Sequence, residues 1–188
     1  MTNRPLALCR FATFTIVAVG ALVLLGAARE LDAQDEPKLV PDVAEVGKLL
    51  PLLPDPPAGW TAETAEGSSD DLGDTKITTV HRDYQKGEAD DAPTTSISIL
   101  DSVANPEYVD MTTSGWTSDE TTADGYTKSV DIDGVPGFET FENDGKHGAL
   151  WLLVAKRYFL QIETTGQDPQ ELQEWRKRID LTKLAGVK

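Results

Sequence analysis

From Trp60 onward the order of apolar and polar positions is mostly that of β-strands. Lys76–Tyr84 is rich in β-branched residues. Thr94–Asp101 sets Ile97 and Ile99 on one side and Ser96 and Ser98 on the other. Leu100 interrupts that alternation, which predicts either a bulge or burial on both faces. Tyr126–Ile132 runs into a turn at Asp133-Gly134, closely followed by Pro136-Gly137. Phe138–Glu142 ends at Asn143-Asp144-Gly145, a hairpin signal. Ala149–Ala155 is apolar on both faces and is therefore expected at the centre of a sheet. Lys156-Arg157 breaks the pattern, and Tyr158–Thr164 then places Tyr158, Leu160 and Ile162 on one face against Gln161 and Glu163.

Two stretches carry helix signals. Asn105-Pro106-Glu107 has the form of a cap, a proline at the first helical position and an acid in the first turn. Asp168, Pro169 and Glu171 have the same logic in register for a last helix. In that helix Leu172, Trp175 and Ile179 form one stripe, and Glu174 and Arg178 are spaced as an i,i+4 pair. Strands joined by turns, few helices and no β-α-β alternation imply an α+β domain. The expected architecture is a largely antiparallel sheet packed by the C-terminal helix and one or two shorter helices.

The first 33 residues differ from the rest. Arg4 and Arg10 precede a 15-residue apolar run, Phe11–Leu25, and small residues follow it. This is the pattern of a secretory signal, with cleavage expected after Ala28 or Ala33. An uncleaved anchor is the alternative. Residues 34–57 hold six of the eleven prolines. They read either as a tether or as a short helix with Pro41 at its first position and Val43, Val46, Leu49 and Leu50 on one face. The division expected is thus a signal over 1–33, a proline-rich linker over 34–57 and a single α+β domain over 58–188.

Charge narrows the function. With 17 basic and 32 acidic residues the chain carries −15, which argues against a nucleic-acid binder. Removing residues 1–33 takes away three bases and two acids, leaving 14 − 30 = −16. Residues 62–124 hold fifteen acids and three bases, whereas 146–188 hold five acids and eight bases. Asp70, Asp71, Asp74, Asp90 and Asp91 are the candidate acidic interaction surface, suited to a basic protein partner or envelope component. The reading as a solvated face stands beside it.

Catalytic and metal signatures are sparse. The one cysteine, Cys9, lies ahead of the apolar run and would leave with the signal. His81 and His147 sit in no nucleophile pattern, and there is no G-x-S-x-G, P-loop or dinucleotide fingerprint. Asp131-Ile132-Asp133-Gly134 with Glu142 fails as a calcium loop, since Val135 and Pro136 occupy the positions needing an oxygen ligand and glycine. No catalytic residue, cofactor or metal site is expected.

The order of these segments resembles that of the PsbP-like family. The resemblance rests on Pro57-Ala58-Gly59-Trp60, Arg82-Asp83-Tyr84, Ser96-Ile97-Ser98-Ile99, the stretch Pro106–Thr113, Ile132-Asp133-Gly134-Val135-Pro136-Gly137, the strand pair Trp151–Val154 and Tyr158–Glu163, and the last helix. It covers roughly residues 57–184. It implies an α-β-α sandwich and a non-enzymatic accessory or binding role, with no catalytic residues to transfer. The expectation is an exported binding or accessory domain of the cell envelope, periplasmic or secreted, with no membrane contact after cleavage. A small hydrolase using paired carboxylates and a membrane-anchored stalked protein are the alternatives.

Overall fold

The computed structural model describes residues 41–71 and 75–188. The signal segment and Asp74 lie outside the described residues. The strands are β1 (Thr61–Ala62), β2 (Glu66–Asp71), β3 (Lys76–Gln85), β4 (Thr94–Asp101), β5 (Glu120–Thr121), β6 (Gly125–Ile132), β7 (Val135–Glu142), β8 (His147–Val154) and β9 (Tyr158–Thr165). The helices are α1 (Val46–Leu49), α2 (Pro106–Thr113), α3 (Gln170–Arg176) and α4 (Leu181–Ala185). All strand pairs are antiparallel, so the fold is α+β around a mostly antiparallel sheet.

The strands run in the order β1, β3, β4, β9, β8, β7, β6, β5, and β2 pairs with β3 beside β1. The last strand in sequence thus lies between β4 and β8. This placement follows from hydrophobicity. β8 and β9 are the most apolar strands, and a central position covers both faces of each.

One sheet face carries the core. Val80, Tyr84, Ile97, Ile99, Leu160, Ile162, Leu150 and Leu152 share it by register and are at most 2% exposed. Leu172, Trp175, Ile179 and Leu184 pack against them from the C-terminal segment. So do Ala44, Leu49 and Leu53. Within the stretch that read as either tether or helix, the described residues from 41 on hold a four-residue helix, α1, whose buried residue Leu49 belongs to the core, with Ala44 and Leu53 flanking it. It begins at Val46 instead of Pro41. Gly67 makes this approach possible, because a Cβ there would stand 2.6 Å from Val46 Cγ1 and 2.8 Å from Val80 Cγ1.

On the opposite face Phe159 meets the rings of Tyr108 and Trp116 edge-on, at 5.5 and 6.0 Å. Leu100 faces this side, and β4 pairs without interruption from Thr94 to Asp101 on both neighbours. Burial on both faces, not a bulge, explains the interrupted alternation.

The turns follow the local chemistry. Asp133 and Gly134 both have positive φ, 56° and 81°, as a two-residue hairpin turn requires. Pro136-Gly137 lies within β7, which starts at Val135. Ala155 and Lys156 also take left-handed φ values of 53° and 54° without the relief of glycine.

The C-terminal segment departs from expectation. In place of one helix, α3 ends at Arg176 and α4 begins after Asp180. Asp180 is the reason. Its side chain accepts from the Lys183 amide at 2.9 Å and caps a new helix. Asp168 does not cap α3 through its side chain, which accepts from Lys146 Nζ at 2.7 Å. Glu174 pairs with Lys177 at 2.6 Å, one residue short of the expected Arg178. The stripe Leu172, Trp175 and Ile179 is nonetheless buried. Trp175 donates through Nε1 to Gln167, whose amide donates to the Thr94 carbonyl and Thr95 hydroxyl, tying α3 to β4.

Candidate functional site

The candidate acids occupy two separate places. Asp70 and Asp71 end β2 and lie opposite Ile77 and Lys76, at the start of β3. Asp90 and Asp91 lie in the turn after β3 ends at Gln85. The two pairs are therefore separated by nearly the length of β3, about 30 Å at ~3.3 Å per residue. All four are exposed. Lys76 Nζ stands 3.9 Å from Asp71 and 3.7 Å from Asp42, so one end of the acidic edge is interleaved with a cation. β2 is exposed throughout, and among the described strands it pairs with β3 alone.

Among the described residues two carboxylates are buried, and composition singled out neither. Asp101, at 0% exposure, ends β4. Arg157 grips it with two bonds, Nε to Oδ1 at 2.9 Å and Nη2 to Oδ2 at 2.6 Å. The backbone amides of Ala44 and Val103 donate to the same carboxylate at 2.6 and 3.1 Å. Arg157 Nη2 also donates to the Asp42 carbonyl. This cluster fastens the 42–44 backbone to the sheet. Donation to Asp101 holds the Arg157 guanidinium above its ordinary pKa.

Glu139, at 2% exposure, lies mid-way along β7 on the core face of the sheet. Its Oε1 accepts from Tyr126 Oη at 2.6 Å and from Lys128 Nζ at 2.8 Å, both on β6. Its Oε2 accepts from Gln173 Nε2 of α3 at 2.8 Å. Lys128 Nζ stands 4.6 Å from the Tyr126 ring centroid, and that ring stacks with Phe141 at 5.9 Å. Burial, together with its hydrogen bond to the carboxylate, pushes the Tyr126 hydroxyl well above its usual pKa. It is a neutral donor at ordinary pH. These four side chains border an open groove of about 560 Å³ between β6–β7 and the start of α3.

Sequence reasoning missed this groove for a definite reason. β7 carries Phe138 on one face and Phe141 on the other, so alternation alone does not say which face is inward. The available signal was Lys128 and Glu139, an oppositely charged pair that falls directly across the Asp133-Gly134 hairpin.

Hydrolysis by two carboxylates needs them roughly 5–9.5 Å apart. Asp101 and Glu139 are separated by β9 and β8, and so by three strand spacings or about 14 Å laterally. His81 is exposed, and His147 Nδ1 stands 3.3 Å from Thr165 Oγ1. Among the described residues no group of three or more His, Cys, Asp or Glu is placed to hold a metal ion. Among the same residues no helix is long and apolar enough to cross a membrane. Comparison with protein-family models, curated proteins and solved structures finds no match to this chain.

Proposed function

We propose that this chain is an exported, non-enzymatic binding or accessory domain of the cell envelope that meets a basic partner along β2. The observation that carries the reading is the β2 edge itself. Along Glu66–Asp70 it offers backbone donors and acceptors not taken up by another described strand, and it displays Glu66 and Asp70 beside them. An extended basic segment would add to such an edge through main-chain hydrogen bonds, with its cations against the carboxylates. The finer architecture proposed is the α-β-α sandwich of the PsbP-like family. Core helices on one sheet face and the α2 contacts to Phe159 on the other support it.

The test is association in envelope extract. The double change Glu66→Gln and Asp70→Asn alters exposed side chains, so stability should move by no more than ~0.5 kcal/mol. Crosslinking followed by mass spectrometry should then lose a basic protein that the native chain captures. Recovery of the same proteins with and without these acids would show that β2 does not steer a partner.

A further inference from the structure

The Glu139 groove is built differently from a structural ion pair. Burying a carboxylate costs several kcal/mol unless it is well paired. Where the fold uses such a group as a clamp, at Asp101, backbone amides are among the donors. Glu139 takes its three donors from side chains alone, and all of them border the groove. Lys128 remains 45% exposed while bonded to it. The network therefore borders the opening with Lys128 as its exposed member, and its tie to another element is the Gln173 side chain of α3.

The hydrogen-bonding capacity left over defines the ligand. The Lys128 ammonium has three protons and gives one to Glu139. Glu139 Oε2 accepts one bond and has room for another. The carbonyl oxygen of the Gln173 amide and the exposed side chain of Gln170 add acceptors and donors within the same lining. Donors and acceptors thus lie side by side, an arrangement matched by groups that both donate and accept. Hydroxyls do this, and vicinal hydroxyls do it in pairs. Val130, Ile132 and Pro169 form the apolar part of the wall and suit the C–H face of a sugar ring. An ammonium ligand would meet Lys128. A carboxylate or phosphate ligand would meet the negative charge of Glu139 and Asp131 in the same lining. The volume, about 560 Å³, is that of a small-molecule site.

We propose that this groove binds a neutral saccharide, with Lys128 and Glu139 bridged by adjacent hydroxyls and Gln170 and Gln173 completing the contacts. The site is independent of β2, which lies toward the other end of the sheet from β6.

The experiment is a nuclear magnetic resonance titration of the isotope-labelled full chain with three neutral probes: chitotetraose, cellotetraose and maltotetraose. The fully deacetylated glucosamine tetramer and tetragalacturonate serve as cationic and anionic counterparts. At least one neutral probe should shift the backbone amides of residues 126–132, 139 and 170–173 at millimolar concentration. Lys128→Met and Gln170→Ala should each weaken it, the former by about tenfold for the loss of a charged hydrogen bond. Gln170 is exposed, so its variant keeps the fold and the comparison valid. The proposal is overturned if no neutral probe shifts these amides, if a charged counterpart binds as tightly as any neutral one, or if both variants bind unchanged.

Discussion

Asp101 and Glu139 are the two carboxylates of the described chain that the fold removes from water, and it does so in opposite ways. Asp101 is held by an arginine that is itself 19% exposed and by two backbone amides. Its loss would leave the Ala44 and Val103 amides without this acceptor and Arg157 with the Asp42 carbonyl as its remaining protein acceptor. Glu139 is held by three side chains beside an open groove, where each donor can turn to water. The same chemical group therefore serves as a fastener at one place and as the buried backing of an open groove at the other. Burial alone does not separate these roles; the identity of the donors and their own access to solvent does.

The sharpest way to break this comparison is Arg157→Ala. It leaves Asp101 buried without its cation, and the expected loss of stability is about 3–5 kcal/mol, read from urea unfolding. A loss below ~1 kcal/mol would place Asp101 in the same category as Glu139 and remove the contrast.

A graded effect comes from the tyrosines. Burial raises Tyr84, whose hydroxyl donates to the Pro54 carbonyl at 2.7 Å, to a pKa of about 12. Tyr126 is raised by burial and by Glu139. An unfolded tyrosine ionises near 10. Above that pH the unfolded chain loses protons that the folded chain keeps, so ionisation favours unfolding. The contribution is complete below about pH 10 and is lost as the pH rises through about 12 for Tyr84. Stability measured across this range should fall, and Tyr84→Phe and Tyr126→Phe should each make the fall shallower. An alkaline limb unchanged in both variants would contradict the neutral-donor role of these hydroxyls.

The smallest effect should come from Glu139→Met. Lys128, Tyr126 and Gln173 can rehydrate at the groove, and an apolar side chain suits the core face of β7. Stability should change by less than about 1 kcal/mol in either direction. A loss approaching that of Arg157→Ala would make Glu139 a fastener as well, and would turn the groove into a by-product of packing.

Much of the sheet was legible in the chain. Thr94–Asp101, Tyr126–Ile132 and Tyr158–Thr165 are strands within a residue of their expected limits, and Asp133-Gly134 makes the expected turn. The short or polar strands were not legible. β2 is Glu-Gly-Ser-Ser-Asp-Asp, whose residues disfavour strands, and it exists because β3 offers it an edge. The C-terminal helix was over-extended because the stripe Leu172, Trp175 and Ile179 reads as one helix, whereas the chain breaks after Arg176 and Asp180 caps a new one. The acidic surface was legible as composition but not as a place, since Asp70–Asp71 and Asp90–Asp91 belong to opposite ends of β3.

The sequence by itself determined the strand periods, the two-residue turn at Asp133-Gly134, the central place of β8 and the uneven acidity. Each depends on neighbours within a few residues, where backbone geometry and side-chain alternation act directly. Only the tertiary structure decided which carboxylates lost their water. Glu139 depends on Tyr126 and Lys128 from one strand and Gln173 from a helix, and Asp101 on Arg157 and the amide of Ala44. These partners are up to 57 residues away in sequence. The free energy of a buried charge is set by what surrounds it in space, and no local pattern of residues encodes that.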